Sequence, residues 1–217
     1  MKFKLEHRGD LRAIIITATE NCDTDTRPFV NTAEFRQFDG DFDLSLGCVA
    51  ASILFSDWCG ELMEFQSPIG LDYRSAVKTV VDDATDVFPI DAAKREFADG
   101  RDTLLVGEAN RLVQNGFSPT QGTPARAITW SGDYAVLADK QGPRDSVQGQ
   151  MFTNATLVAS STKISVAIGL LVGGRNLREI RVPDVVEQER QSLERMALSL
   201  DEIGIRLVPL RETQRMH

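Results

Sequence analysis

The sequence predicts a mixed fold, α/β or α+β: a mixed β-sheet covered by helices, in a single domain of 217 residues. Three observations predict it. Short apolar runs alternate with amphipathic stretches, the strand–helix alternation that builds a sheet with helices packed on it. A turn signal at Arg8-Gly9-Asp10 joins two strand-like runs, and a second hairpin-like pattern surrounds Trp130, so the sheet is not purely parallel. The length fits one large domain, in which roughly 70% of the unfolded chain's surface is buried, enough for a core without staples.

The elements follow in order. Residues 2–7 and 11–18 form the first hairpin, the second strand carrying the apolar run Ile14-Ile15-Ile16. Residues 19–33 are polar and read as an exposed loop, and 34–38 as a short strand. Asp43 is a good N-cap and Gly60 a good stop for a helix whose stripe is Leu46, Val49, Ala50 and Ile53. Its opposite side carries Cys48, Ala51 and Phe55 among small serines, so the helix must be covered all round. Residues 62–65 read as a strand, 72–81 as a helix, 87–90 as a strand, and 91–99 as a short helix ending at Gly100. Another strand follows at 103–106, then a helical turn through Arg111 and Val113.

Residues 115–125 are rich in Gly, Pro, Ser and Thr, and a boundary between subdomains would fall there. Beyond them, 127–130, 134–138 and 150–157 read as strands around a loop at 139–149. Residues 164–172 are apolar on every side, and periodicity does not decide between helix and buried strand. A strand at 178–182 precedes the last helix, where Asp184 and Glu187 have capping-box spacing and Val186, Leu193, Ala197 and Leu200 form a stripe. Gly204 ends that helix and 205–208 is the closing strand. No internal repeat is visible.

Charge and cysteine use narrow the setting. The net charge is −8, with −10 in residues 1–108 and +2 in 109–217. An acidic surface repels phosphate backbones at long range, which disfavours general nucleic-acid binding and membrane-surface binding. The start, Met1-Lys2-Phe3-Lys4-Leu5-Glu6, alternates apolar and charged residues and lacks the unbroken apolar run of a targeting segment. Three cysteines, Cys22, Cys48 and Cys59, contain no Cys-x-x-Cys pair and leave one over from any pairing. Reduced thiols and a cytoplasmic location are expected.

Two histidines, His7 and His217, supply too little for a Ser-His-Asp or Cys-His mechanism or for a His/Cys zinc site. No cofactor is expected and no metal ligand set is assigned. Asp39-Gly40-Asp41-Phe42-Asp43 alternates acids like a calcium loop, but the required Gly and Glu positions hold Leu44 and Ala50. A magnesium ion on Asp39 or Asp41 is the only metal this stretch would admit, and a polar turn capping the helix is the simpler account.

Two segments qualify as phosphate sites. Ser131-Gly132-Asp133 follows a strand, yet a pyrophosphate loop of the Ser-Gly-Gly-x-Asp-Ser kind needs glycine where Asp133 stands, and a β-turn explains it better. Gly173-Gly174-Arg175 would let backbone amides approach an anion, with Arg175 completing the cradle, although a structural turn with surface charge explains it better. Asn154 could line a pocket mouth or bond backbone in a turn.

Two readings of function follow. In the first, the chain is a non-catalytic, assembly-dependent subunit of a complex or homo-oligomer. One greasy segment then lies at an interface, with Cys48, Phe55 and Trp58 as the interface candidates. In the second, it is an enzyme or binding protein for a phosphate- or nucleotide-bearing ligand. Ser131, Asp133, Asn154 and Arg175 then form the site, with 139–149 as a lid.

Overall fold

Strand β1 (Lys2–Arg8) turns through Gly9–Leu11 into β2 (Ala13–Thr19), pairing antiparallel from Lys2↔Thr19 to Arg8↔Ala13. Arg12 takes the left-handed conformation that closes this turn, at φ 47°. The computed structural model describes residues 1–20, 25–26, 28, 30–37, 42–94, 98, 100–109, 112, 126–132, 150–183 and 187–210. Phe3 and Leu5 of β1 face the same side as Ile14, Ile16 and Ala18 of β2, and all are buried. Lys2 and Lys4 point the other way into solvent, Lys2 pairing with Glu64 at 2.7 Å. One face is therefore core and the other, in this half, is wet.

The remaining strands are β3 (Thr32–Arg36), β4 (Leu62–Ile69), β5 (Asp86–Ile90), β6 (Asp102–Glu108), β7 (Arg126–Ser131), β8 (Gln150–Thr153), β9 (Leu177–Pro183) and β10 (Arg206–Leu210). They form one mixed sheet in the order β10-β9-β6-β7-β8-β3-β2-β1-β4-β5. The described helices are α1 (Leu44–Phe55), α2 (Leu71–Val80), α3 (Ser161–Gly173) and α4 (Arg190–Asp201). The mixed α/β class is as the sequence predicts.

The sheet reads the same outward in both directions from the β3–β8 seam. One half runs β3-β2-β1-β4-β5 and the other β8-β7-β6-β9-β10. Each half carries a buried helix between its third and fourth strands in the chain, α1 or α3. Each also has an amphipathic helix before its last strand, α2 or α4. β3 and β8 pair antiparallel, as a two-fold axis normal to the sheet at the seam requires. One strand breaks the symmetry: β2 is antiparallel to β1, whereas β7 is parallel to β6. The repeat thus lives in topology rather than in any visible sequence period.

The sheet also curls. β5 and β10 are its opposite edges, yet α2, leading into β5, packs on α4, leading into β10. Ser199 Oγ of α4 donates to the Ala76 carbonyl of α2 at 2.7 Å, and the Ala98 amide to the Ile203 carbonyl at 3.1 Å. The antiparallel pair α1 and α3 lies inside this enclosure. From Ser45 to Phe55 every residue of α1 is buried, and from Thr162 to Val172 every residue of α3. At about 25 cal/mol per Å² of apolar surface, such a pair is a major part of the core's driving force.

The chain from Ile164 to Val172, open between helix and strand in the sequence, is helical. Several expectations need correction. α1 stops at Phe55 and tightens into a 3-10 turn at Ser56–Trp58, well before Gly60. Ser52 and Ser56 hydroxyls donate to the carbonyls three residues back, competing with the regular ladder near its end. The strand over 150–157 ends at Thr153 and gives way to a 3-10 turn at Ala155–Leu157. β7 and β8 are parallel neighbours, and the hairpin expected around Trp130 with 134–138 lies outside the described residues. Residues 91–94 form a turn in which the Asp91 carboxylate accepts the Ala93 amide at 3.0 Å, in place of the expected helix start.

α4 begins at Arg190, later than the capping-box spacing suggests, after a 3-10 turn at Glu187–Glu189. Glu189 accepts a hydrogen bond from Thr162 Oγ1 of α3 instead of capping its own helix. Gly204 ends that region at φ +79°, a conformation glycine adopts without strain. The expected strand at 134–138, the turn through Arg111 and Val113, and the boundary at 115–125 lie outside the described residues.

Candidate functional site

The polar chemistry of the described chain gathers at the two ends of the α1–α3 pair. At one end Asp43 is the α1 N-cap, its Oδ1 accepting the Leu46 amide at 3.0 Å. Its Oδ2 accepts from Arg175 Nε, just past the end of α3, at 2.6 Å. Lys94 Nζ donates to Ser45 Oγ at 3.1 Å in the first turn of the same helix. At the other end Lys163 of α3 donates to Ser56 Oγ at 2.8 Å and to Asp57 Oδ1 at 2.7 Å. Trp58 Nε1 donates to the Val158 carbonyl at 3.3 Å. Two antiparallel helices are thus latched by an acid–base pair at each end.

Trp130 joins the sheet to this pair. Its ring is buried and Nε1 donates at 2.9 Å to Ser165 Oγ on α3, whose hydroxyl in turn donates to the Ser161 carbonyl. Such a partner is what a buried indole needs.

Of the candidate ligand residues, Ser131 and Asn154 fall near the ends of neighbouring strands and Arg175 stands apart from them past the end of α3. Ser131 ends β7 opposite Phe152 of β8, and Asn154 directly follows β8. Asn154 spans the seam: Oδ1 accepts the Glu34 amide at 2.7 Å and Nδ2 donates to the Thr32 carbonyl at 3.1 Å. Its backbone-bonding role takes both ends of the amide. Arg175 lies beyond the C-terminal end of α3, a helix of thirteen residues, or about 20 Å, that begins after Asn154. Asp133 and the 139–149 segment lie outside the described residues.

The three interface candidates are placed as follows. Cys48 and Phe55 are completely buried inside the chain, so neither has surface to offer a partner. The cover that the greasy helix requires comes from α3, α2 and the sheet. Trp58 is partly buried against the core. Burial holds the Cys48 thiol far above its ordinary pKa, the nearby Asp43 carboxylate adds to the rise, and Lys94 opposes it. A thiol so placed is a packing group, not a nucleophile.

Asp39 and Asp41, the magnesium candidates, lie outside the described residues; among the described ones no group of three His, Cys, Asp or Glu side chains gathers as metal ligands would. Among those residues, too, no helix is long and apolar enough to cross a membrane.

Sequence reading missed two polar features. Lys163 is a lysine on the edge of an apolar run, and that incongruity is the signal that could have found it. Asp25 gives no such signal. Its side chain is fully buried, 2.6 Å from the Met1 ammonium, and accepts the Gly60 amide at 2.9 Å.

No family model, curated protein or solved structure matches the chain.

Proposed function

We propose that the chain is a non-catalytic subunit of the cytoplasm, working by association with a second copy of itself or with another protein. What supports this reading is how the chemistry-bearing side chains are engaged. Asp43 caps a helix and holds Arg175, Asp57 and Ser56 hold Lys163, Asn154 laces β3 to β8, and Cys48 is packed away. The observation that carries it is the closure of both ends of the central helix pair by ion pairs. Groups held so contribute to a scaffold and offer little to a substrate.

The surface for association is sought at the sheet edges, since an unpaired strand is a template for pairing. On edge strand β5, Phe88 is 50% exposed, and on edge strand β10, Leu207, Val208 and Leu210 are each partly exposed. Light scattering over a concentration series and a pull-down with tagged chain test the reading together. The expected result is a dimer or a larger species, or a stoichiometric partner, lost on Phe88→Lys while circular dichroism shows the parent fold. A monomer at every concentration that captures nothing overturns it.

The phosphate-ligand reading has less behind it, because Arg175 is engaged by Asp43 and the Asn154 amide by the backbone of β3. A thermal shift with nucleotides or sugar phosphates that disappears in Arg175→Ala would revive it.

A further inference from the structure

No further inference is drawn: the strongest candidate, the half-exposed Phe88 on edge strand β5, belongs to the association reading already proposed, and nothing in the structure shows what covers it.

Discussion

Lys163 and Asp57 meet at 2.7 Å with unequal access to water: the lysine side chain is 8% exposed and the aspartate 67%. That inequality orders the effects of removing either partner. Without Asp57, the ammonium stays buried with the Ser56 hydroxyl as acceptor, and an uncompensated buried charge is costly. Without Lys163, the carboxylate left behind is already in water. Asp57→Ala is therefore expected to destabilise by about 2–3 kcal/mol, less than the roughly 3–5 kcal/mol of a fully buried pair because Asp57 itself faces water. Lys163→Met, which keeps the buried stem, is expected to cost about 1 kcal/mol or less. Urea unfolding of both variants checks the order, and equal losses would contradict this account.

Asn154 offers a test of the seam. Among the described residues Phe35↔Thr153 and Arg36↔Phe152 register β3 against β8, so the Asn154 amide extends a short ladder on which the continuous sheet depends. Asn154→Leu removes both hydrogen bonds and leaves the Glu34 amide without its acceptor. A loss of about 2 kcal/mol is expected, in the range for an unsatisfied buried group. Hydrogen exchange at the Glu34 amide should speed up more than at the Ile16 amide in β2. Uniform acceleration at both would mean that the seam is not a local weak point.

Gly47 sets helix propensity against packing. Replacing a mid-helix glycine with alanine ordinarily stabilises by about 1 kcal/mol. Here a Cβ would stand 2.7 Å from Leu5 Cδ2 and 2.9 Å from Phe42 Cζ, both pressed onto α1. Overpacking of this kind costs about 1–3 kcal/mol. Gly47→Ala is expected to lower stability on balance, and to be partly rescued by Leu5→Val in the same chain. A melting temperature that rises in the single variant would show that Leu5 and Phe42 move aside freely.

The fold class, most strands and the helix α1 are legible in the sequence because burial leaves a local mark, and for α3 that mark gives burial without deciding helix or strand. α1 and α3 lack a polar face, and that predicts cover without saying whose. The cover proves internal because the sheet curls until α2 reaches α4, a long-range event that no window of residues records. Parallel pairing of β7 with β8 is hidden for a related reason, since pairing direction depends on the path of the connection, which local periodicity does not record. The repeat becomes visible only once the fold aligns it. Val49-Ala50 then correspond to Val166-Ala167 and Leu54 to Leu171, too few identities to detect unaided. Asp25 shows the opposite failure, since a carboxylate in a polar stretch reads as solvated and gives no sign of the buried ammonium beside it.

Cys48 makes the stability of the protein depend on alkaline pH in a defined direction. Its folded pKa is raised, chiefly by burial, so the folded thiol stays protonated where the unfolded chain ionises, near pH 8.5. The contribution is whole below that pH and diminishes as pH rises from there toward the folded value. Over that window the unfolded state binds one proton fewer, which lowers the unfolding free energy by about 1.4 kcal/mol per pH unit. Cys48→Ala abolishes this increment, although the variant starts lower because a buried sulfur is lost. The expected observation is a shallower loss of stability between about pH 8.5 and 10.5 in Cys48→Ala than in the parent, by chemical denaturation. Thiol labelling gives a second readout: Cys59, partly exposed, should react in the native state, and Cys48 only on unfolding. Rapid native labelling of Cys48 would show that the enclosure around α1 opens readily, and the steeper alkaline slope would then vanish with it.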